Sequence, residues 1–200
     1  MFLPGEKSID LVFNNDDAFN KLYPLNIQVK AAKHWTRLEV AKIAADFLAP
    51  EKDTHVLDIG SGVGKFCIAA AHQKPKAIFY GVEQRKNLVE YSIESCSRVG
   101  LYNASFIHAN FTQLDLRQFD SFYFYNSFYE NISLGQKIDD EVEYSEALYN
   151  YYCNYLNKEL EKMPAGTRVA TFHSLEHEMP ASYRVVKTGF HGSLKFWTKV

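Results

Sequence analysis

Val56-Leu57-Asp58-Ile59-Gly60-Ser61-Gly62-Val63-Gly64-Lys65 decides the fold of this chain. A short apolar run carrying one acid enters three alternating glycines, and Phe66-Cys67-Ile68-Ala69 continues with helical composition. The pattern reads as a buried strand, a tight turn and a helix. Glycine accepts positive φ and lets a ligand come close to the backbone, and the helix start beyond it offers N–H groups to an anion. A nucleoside triphosphate loop would need glycine in place of Ile59 and a hydroxyl residue in place of Phe66. A dinucleotide fingerprint would need its third glycine at Lys65, one residue later than Gly64. Asp58 would also repel a pyrophosphate in a partly desolvated cleft.

Outward from this stretch, strands and helices alternate. Strands are expected at Thr54 to Ile59, Ala77 to Val82, Ser105 to His108, Ser121 to Tyr125 and Thr167 to Phe172. A closing antiparallel pair is expected at Ser182 to Lys187 and Ser193 to Lys199. Helices are expected at Val63 to Gln73, Gln84 to Val99 (closed by Gly100) and about Asp139 to Met163. The last shows an apolar stripe from Ile138 and Val142 through Tyr149, Tyr152, Leu156 and Leu160. Thr36-Arg37-Leu38-Glu39 has the form of a capping box before a helix that ends at Pro50. Residues 1–34 read as irregular, with Asn14-Asn15-Asp16-Asp17 and Pro24 as breakers. The alternation predicts an α/β fold built on a mostly parallel sheet, with ligands at the carboxyl ends of its strands.

The 200 residues suffice for one domain with a buried core. Twenty-two Lys and Arg against 24 Asp and Glu give a net charge of −2, which disfavours nucleic acid as a partner. No apolar run reaches membrane-spanning length, and the first residues lack a basic-then-apolar leader. Cys67, Cys96 and Cys153 are odd in number and form no Cys-x-x-Cys pair. Reduced thiols in the cytoplasm, with no metal site, are expected. Neither composition nor pattern fixes an oligomeric state.

A third ligand suits the loop better than either nucleotide. S-adenosylmethionine carries an ammonium and a sulfonium, which Asp58 would attract, and a carboxylate for the amides at the helix start. Glu83, at the end of the second strand, can accept hydrogen bonds from both ribose hydroxyls, as strand-end acids also do for NAD. The loop and its acid resemble class I S-adenosylmethionine-dependent methyltransferases. That resemblance implies a Rossmann-like, seven-stranded sheet with an antiparallel last strand and helices on both faces. The methyltransferase domain would span residues 35–200, and residues 1–34 would be an extension or lid. It implies cofactor contacts at Asp58, Gly60, Ser61, Gly62, Gly64, Glu83 and Gln84. In His108-Ala109-Asn110-Phe111, the resemblance gives Asn110 to the adenine amino group and Phe111 to its ring. A turn asparagine and a core phenylalanine are the competing readings. An NAD-dependent oxidoreductase and a non-catalytic cofactor-binding module remain as alternatives.

Phe122-Tyr123-Phe124-Tyr125-Asn126-Ser127-Phe128-Tyr129 is an aromatic strand ending in Asn126. It resembles the Asn-Pro-Pro-Tyr motif of amino-directed methyltransferases at Asn126, Phe128 and Tyr129, with Ser127 where proline is usual. It is also similar, more weakly, to the non-SET histone lysine methyltransferases. The resemblance implies Asn126 as the catalytic residue orienting a nitrogen acceptor, with Phe128 and Tyr129 against a protein or small-molecule substrate. An asparagine carbonyl can hold an acceptor N–H so that its lone pair faces the methyl group. His34-Trp35-Thr36 would border the cofactor by the same resemblance. Lys30, Lys33 and Arg37 read as a solvated surface. His173-Ser174-Leu175-Glu176-His177 matches a zinc-peptidase pattern that requires a helix, and Pro180 leaves no room for one.

Overall fold

The computed structural model describes residues 10–132, 139, 142–174 and 178–200. Seven strands form one sheet: β1 (His55–Ile59), β2 (Ile78–Glu83), β3 (Ala104–His108), β4 (Ser121–Tyr125), β5 (Arg168–Phe172), β6 (Tyr183–Gly189) and β7 (Leu194–Lys199). Their order is β3-β2-β1-β4-β5-β7-β6. β1 to β5 are mutually parallel, and β7 runs antiparallel to both β5 and β6. The expected sheet, with its antiparallel last strand, is therefore present.

The strand direction of travel decides where a ligand can sit. The chain moves outward from β1 through β2 to β3, then returns to pair β4 with the other side of β1. Crossovers leave the two sides of β1 in opposite senses, which opens a crevice at the carboxyl ends of β1 and β4. Gly60 and Asn126 follow those two strand ends.

The central strands are apolar because both sheet faces are covered. Successive residues point to opposite faces. Val56, Phe79, Tyr123 and Phe196 join one core, with α4 (Leu38–Leu48), α5 (Lys65–Gln73) and α6 (Lys86–Arg98). Leu57, Val82, Phe122 and Trp197 join the other, beneath α7 (Glu146–Glu161). Gly100 closes α6 at φ 66° as expected. Among the described residues no helix is long and apolar enough to cross a membrane.

Three local expectations are corrected. The segment read as irregular contains α1 (Asp16–Asn20), α2 (Leu25–Gln28) and α3 (Ala31–His34), where it is described. Phe13, Phe19, Tyr23 and Ile27 bury themselves in the same core as α4 and α5, and that packing organises the short helices. Thr36 does not cap α4. Its hydroxyl shares a 3.0 Å hydrogen bond with the Tyr123 hydroxyl, deep in the core, and the Leu38 N–H is met instead by Asp16 Oδ1 at 3.0 Å. The last long helix begins at Glu146, because Ser145 accepts a hydrogen bond from the Leu148 N–H. Val142 precedes that helix, and Ile138 lies outside the described residues.

Candidate active site

A cavity of about 510 Å³ opens at the crevice between β1 and β4. Its wall includes Gly60, Gly62, Glu83, Gln84, Asn110, Phe111, Asn126, Phe128 and Tyr129, all expected from the sequence. His34 and Trp35 border it as well. Asp58 and Ser61 line a narrow adjoining recess of about 40 Å³, which shares His34, Trp35, Gly60, Val63 and Tyr125 with the main cavity. Gly64 lines neither space among the described contacts.

The glycines divide the work. A Cβ on Gly60 would lie 2.6 Å from the Ser127 side chain, whose hydroxyl donates to the Ile59 carbonyl at 2.6 Å. The absence of a side chain at Gly60 thus lets the end of β4 close onto the end of β1. At Gly64, φ is +77° and a Cβ would meet Phe106 at 2.4 Å, so this glycine serves the turn and the packing of the helix. The loop amides are already engaged. Gly60 and Ser61 donate to the Val82 carbonyl, Gly64 to the Ser61 carbonyl, and Gly62 to Glu83 Oε2 at 3.1 Å. A pyrophosphate would find none of these four N–H groups free, which weakens the oxidoreductase alternative.

Acids stand at one end of the site. Asp58 is buried, with the Cys67 thiol donating toward Oδ2 at 3.7 Å. Burial, reinforced by the charge of Glu83, pushes its carboxyl well above the ordinary range, while the thiol works the other way. Beside it the Ser61 hydroxyl is buried without a hydrogen-bond partner. A carboxyl group that an arriving cation would help to ionise, and a hydroxyl with no partner among the described residues, fit the ammonium end of an amino-acid moiety. Glu83 keeps acceptor capacity beyond its bonds to Gly62 and to the Arg85 N–H at 3.0 Å. That capacity fits ribose hydroxyls.

Asn110 is drawn into local structure. Its Oδ1 accepts from the Thr112 N–H and hydroxyl, capping a short 3₁₀ turn, and its Nδ2 donates to the Tyr152 hydroxyl at 2.8 Å. Phe111 lies against Phe128 with ring centroids 5.1 Å apart, forming an aromatic wall. Asn126 differs from Asn110. It adopts φ 44°, the left-handed region that asparagine tolerates better than most residues, and its side-chain amide has no protein partner among the described residues.

Sequence reasoning missed Arg85, whose side chain is 1% exposed. Nη1 lies 3.4 Å from Glu83 Oε1, Nη2 donates to Glu130 at 2.8 Å and to the Tyr144 hydroxyl at 2.7 Å, and Nε donates to Asp139 at 2.9 Å. Burial opposes its charge, but Glu130 and Glu83 overcome that opposition and hold the guanidinium charged. A signal was present. Arg85-Lys86 places two cations where the helix dipole disfavours them, and such a local conflict marks a residue needed elsewhere. Lys30 and Lys33 also line the cavity, which corrects their reading as a solvated surface. Of the zinc-peptidase pattern, His173 borders the cavity at φ 57°, and Leu175, Glu176 and His177 lie outside the described residues.

Comparison with known proteins agrees with this geometry. Residues 50–162 match the family described as a methyltransferase domain. A 23S rRNA (uracil(1939)-C(5))-methyltransferase of Marinomonas posidonica is 38% identical over 78 residues, covering 39% of this chain and 17% of that protein. A tRNA (guanine-N(7)-)-methyltransferase of Synechococcus sp. is 44% identical over 54 residues, covering 27% of this chain and 23% of that protein. The matched segments thus span less than a quarter of these relatives. The crystal structure of TrmN from Thermus thermophilus shares the fold at a TM-score of 0.61 and 18% identity, covering 87% of this chain and 52% of that one. An RNA methyltransferase from Salinibacter ruber, solved with S-adenosyl-L-homocysteine, does so at 0.54 and 20%, covering 81% and 89%. The expectation that nucleic acid is a disfavoured partner is corrected, because the curated relatives are named for rRNA and tRNA. A net charge near zero does not describe the charge around one cavity. With the sheet, the crevice and the match over more than half of its length, the chain belongs to the methyltransferase domain family.

Proposed function

We propose that this enzyme transfers a methyl group from S-adenosylmethionine to a nitrogen of a base in RNA. The observation that carries the reading is the Asn126 amide, without a protein partner among the described residues, at the carboxyl end of β4 and lining the cavity shared with Glu83. The RNA names of the curated relatives support the acceptor class. The cofactor supplies an electrophilic methyl carbon. Asp58 and Ser61 would hold its amino-acid end, Glu83 its ribose, and Phe111 the flank of its adenine. Gly62 and Gln84 complete that wall. Asn126 would hydrogen-bond the acceptor base and turn its nitrogen lone pair toward the methyl group, since alignment supplies much of the rate in a displacement. Phe128 and Tyr129 offer faces to the base, and residues 10–34 contribute the substrate wall through Lys30, Lys33 and His34.

A nitrogen suits the site better than the carbon named in the uracil relatives. A pyrimidine carbon lacks a lone pair and needs a nucleophile added to the ring first. Cys67 and Cys96 are buried, Cys153 sits beside Glu178, and no cysteine is among the described residues lining the cavity. The three free thiols also fit a reducing, cytoplasmic setting.

Cellular RNA and protein fractions incubated with methyl-labelled cofactor test the acceptor. Nuclease-sensitive label is expected, and protease-sensitive label would overturn the reading. Asn126→Gly tests the mechanism, because glycine keeps the left-handed backbone while deleting the amide. Turnover should fall by about 10²-fold with cofactor affinity unchanged. An equal loss of both would make Asn126 a scaffold residue.

A further inference from the structure

The cations around the cavity are of two kinds. Glu83 ends β2 and Glu130 lies in the turn after β4, and two cations of the wall are paired with acids. Arg85 contacts Glu83, Glu130 and Asp139, and Lys30 Nζ lies 3.8 Å from Asp139 Oδ2. Lys33 and Arg37 differ from them. Lys33 lines the cavity, and its backbone carbonyl accepts from the Tyr125 hydroxyl at 3.3 Å. Arg37 is the exposed residue at the start of α4, two positions after the cavity-lining Trp35, and its charge bears on Tyr125 and His173 at the same mouth. Lys33 and Arg37 are exposed, and neither has an ion pair or side-chain hydrogen bond among the described residues. Tyr125 immediately precedes Asn126, so Lys33 stands beside the strand end that presents the acceptor asparagine.

His34, on the cavity wall, has its pKa lowered by burial and then by the charges of Lys30, Lys33 and Arg85. Burial and Arg37 lower that of His173. Burial is the larger cause in both, and the neighbouring cations add to it. A base entering the cavity toward Asn126 brings with it a phosphate on each side, outside the mouth. Phosphate contacts fix the register of a strand while leaving the base to be read elsewhere.

We propose that Lys33 and Arg37 hold the backbone phosphates flanking the nucleotide whose base enters the cavity, a role that rests on the RNA acceptor proposed above. Lys30 and Arg85, though cationic and on the cavity wall, are structural, because their charge is already answered. Lys33 and Arg37 are positioning residues for the strand and add nothing to the cofactor pocket.

The test is the salt dependence of binding to a short fluorescein-labelled single-stranded RNA, followed by anisotropy from about 50 to 200 mM salt. The full chain and its Lys33→Gln/Arg37→Gln variant are compared. Two phosphate contacts at ~0.7 each lower the slope of log affinity against log salt by about 1.4 in the variant. Melting temperature and calorimetric affinity for S-adenosylmethionine should stay unchanged, since both side chains are exposed. An unchanged slope would overturn the assignment. So would poly-L-glutamate displacing the RNA and losing affinity by the same factor in the variant, which would give the patch to an acidic protein. If the parent chain methylates RNA and the variant does so at the same KM, only the role of Lys33 and Arg37 fails. If the parent chain binds the cofactor but neither binds nor methylates RNA, the RNA reading fails and takes this assignment with it.

Discussion

Asp58 shows how one side chain carries a cost for a site. Its carboxyl sits in the recess beside Ser61, with the Cys67 thiol donating toward it and the charge of Glu83 against it, so burial favours the protonated form. Between the ordinary aspartate value of about 3.9 and its raised value in the folded chain, the native state holds a proton that the unfolded state has lost. Stability therefore falls as pH rises through that window, and it is fully present only below it. Asp58→Asn keeps the shape and removes the titration. Urea unfolding across a pH series should show the variant gaining on the parent chain as pH rises above about 4. A difference independent of pH would mean that Asp58 titrates as an ordinary surface acid. The same substitution should weaken cofactor binding, because the attraction for a cationic amino-acid end is gone.

At the scale of elements, Arg85 ties three pieces of chain together. It leaves the end of β2, meets Glu130 in the 3₁₀ turn Tyr129–Asn131 after β4, and reaches Asp139 and Tyr144 ahead of α7. The strand that presents Glu83 and the turn that follows Asn126 are thereby fixed to each other. Arg85→Met would deprive three carboxylates of their shared cation, and breaking a buried ion pair in this way costs about 3–5 kcal/mol. Denaturant unfolding measures that loss, and a change below about 1 kcal/mol would mean the network is solvated. Arg85→Lys should recover only part of it, since an ammonium cannot reproduce four directed contacts of a guanidinium fork.

For the molecule as a whole, the sheet order is the decisive property. Because β1 and β4 are neighbours whose connections depart in opposite senses, one crevice gathers residues from Lys30 to His173. A ligand that fills it stabilises the native state by mass action, about 2.7 kcal/mol at a hundredfold excess over Kd. S-adenosylmethionine should raise the melting temperature measurably at such a concentration, and NADH should not. Stabilisation by NADH alone would restore the oxidoreductase reading, against the engaged amides of Gly60, Ser61, Gly62 and Gly64.

The sequence by itself determined the sheet, the crossover after β1 and most of the cavity wall. Those features rest on local rules: glycines that only a tight turn requires, apolar runs of strand length, and polar residues at strand ends. Tertiary structure alone decided the rest. Thr36 left its cap for Tyr123, because a core hydroxyl without a partner costs more than a helix start met by Asp16. Gly60 answers to Ser127, a residue 67 positions away in sequence. Lys30 and Lys33 looked like solvated surface until the folding of α2 and α3 against α5 brought them to the mouth of the cavity. Net charge is a sum over the chain, whereas an acceptor meets the few charges that folding places beside it, and no arithmetic on composition recovers that placement.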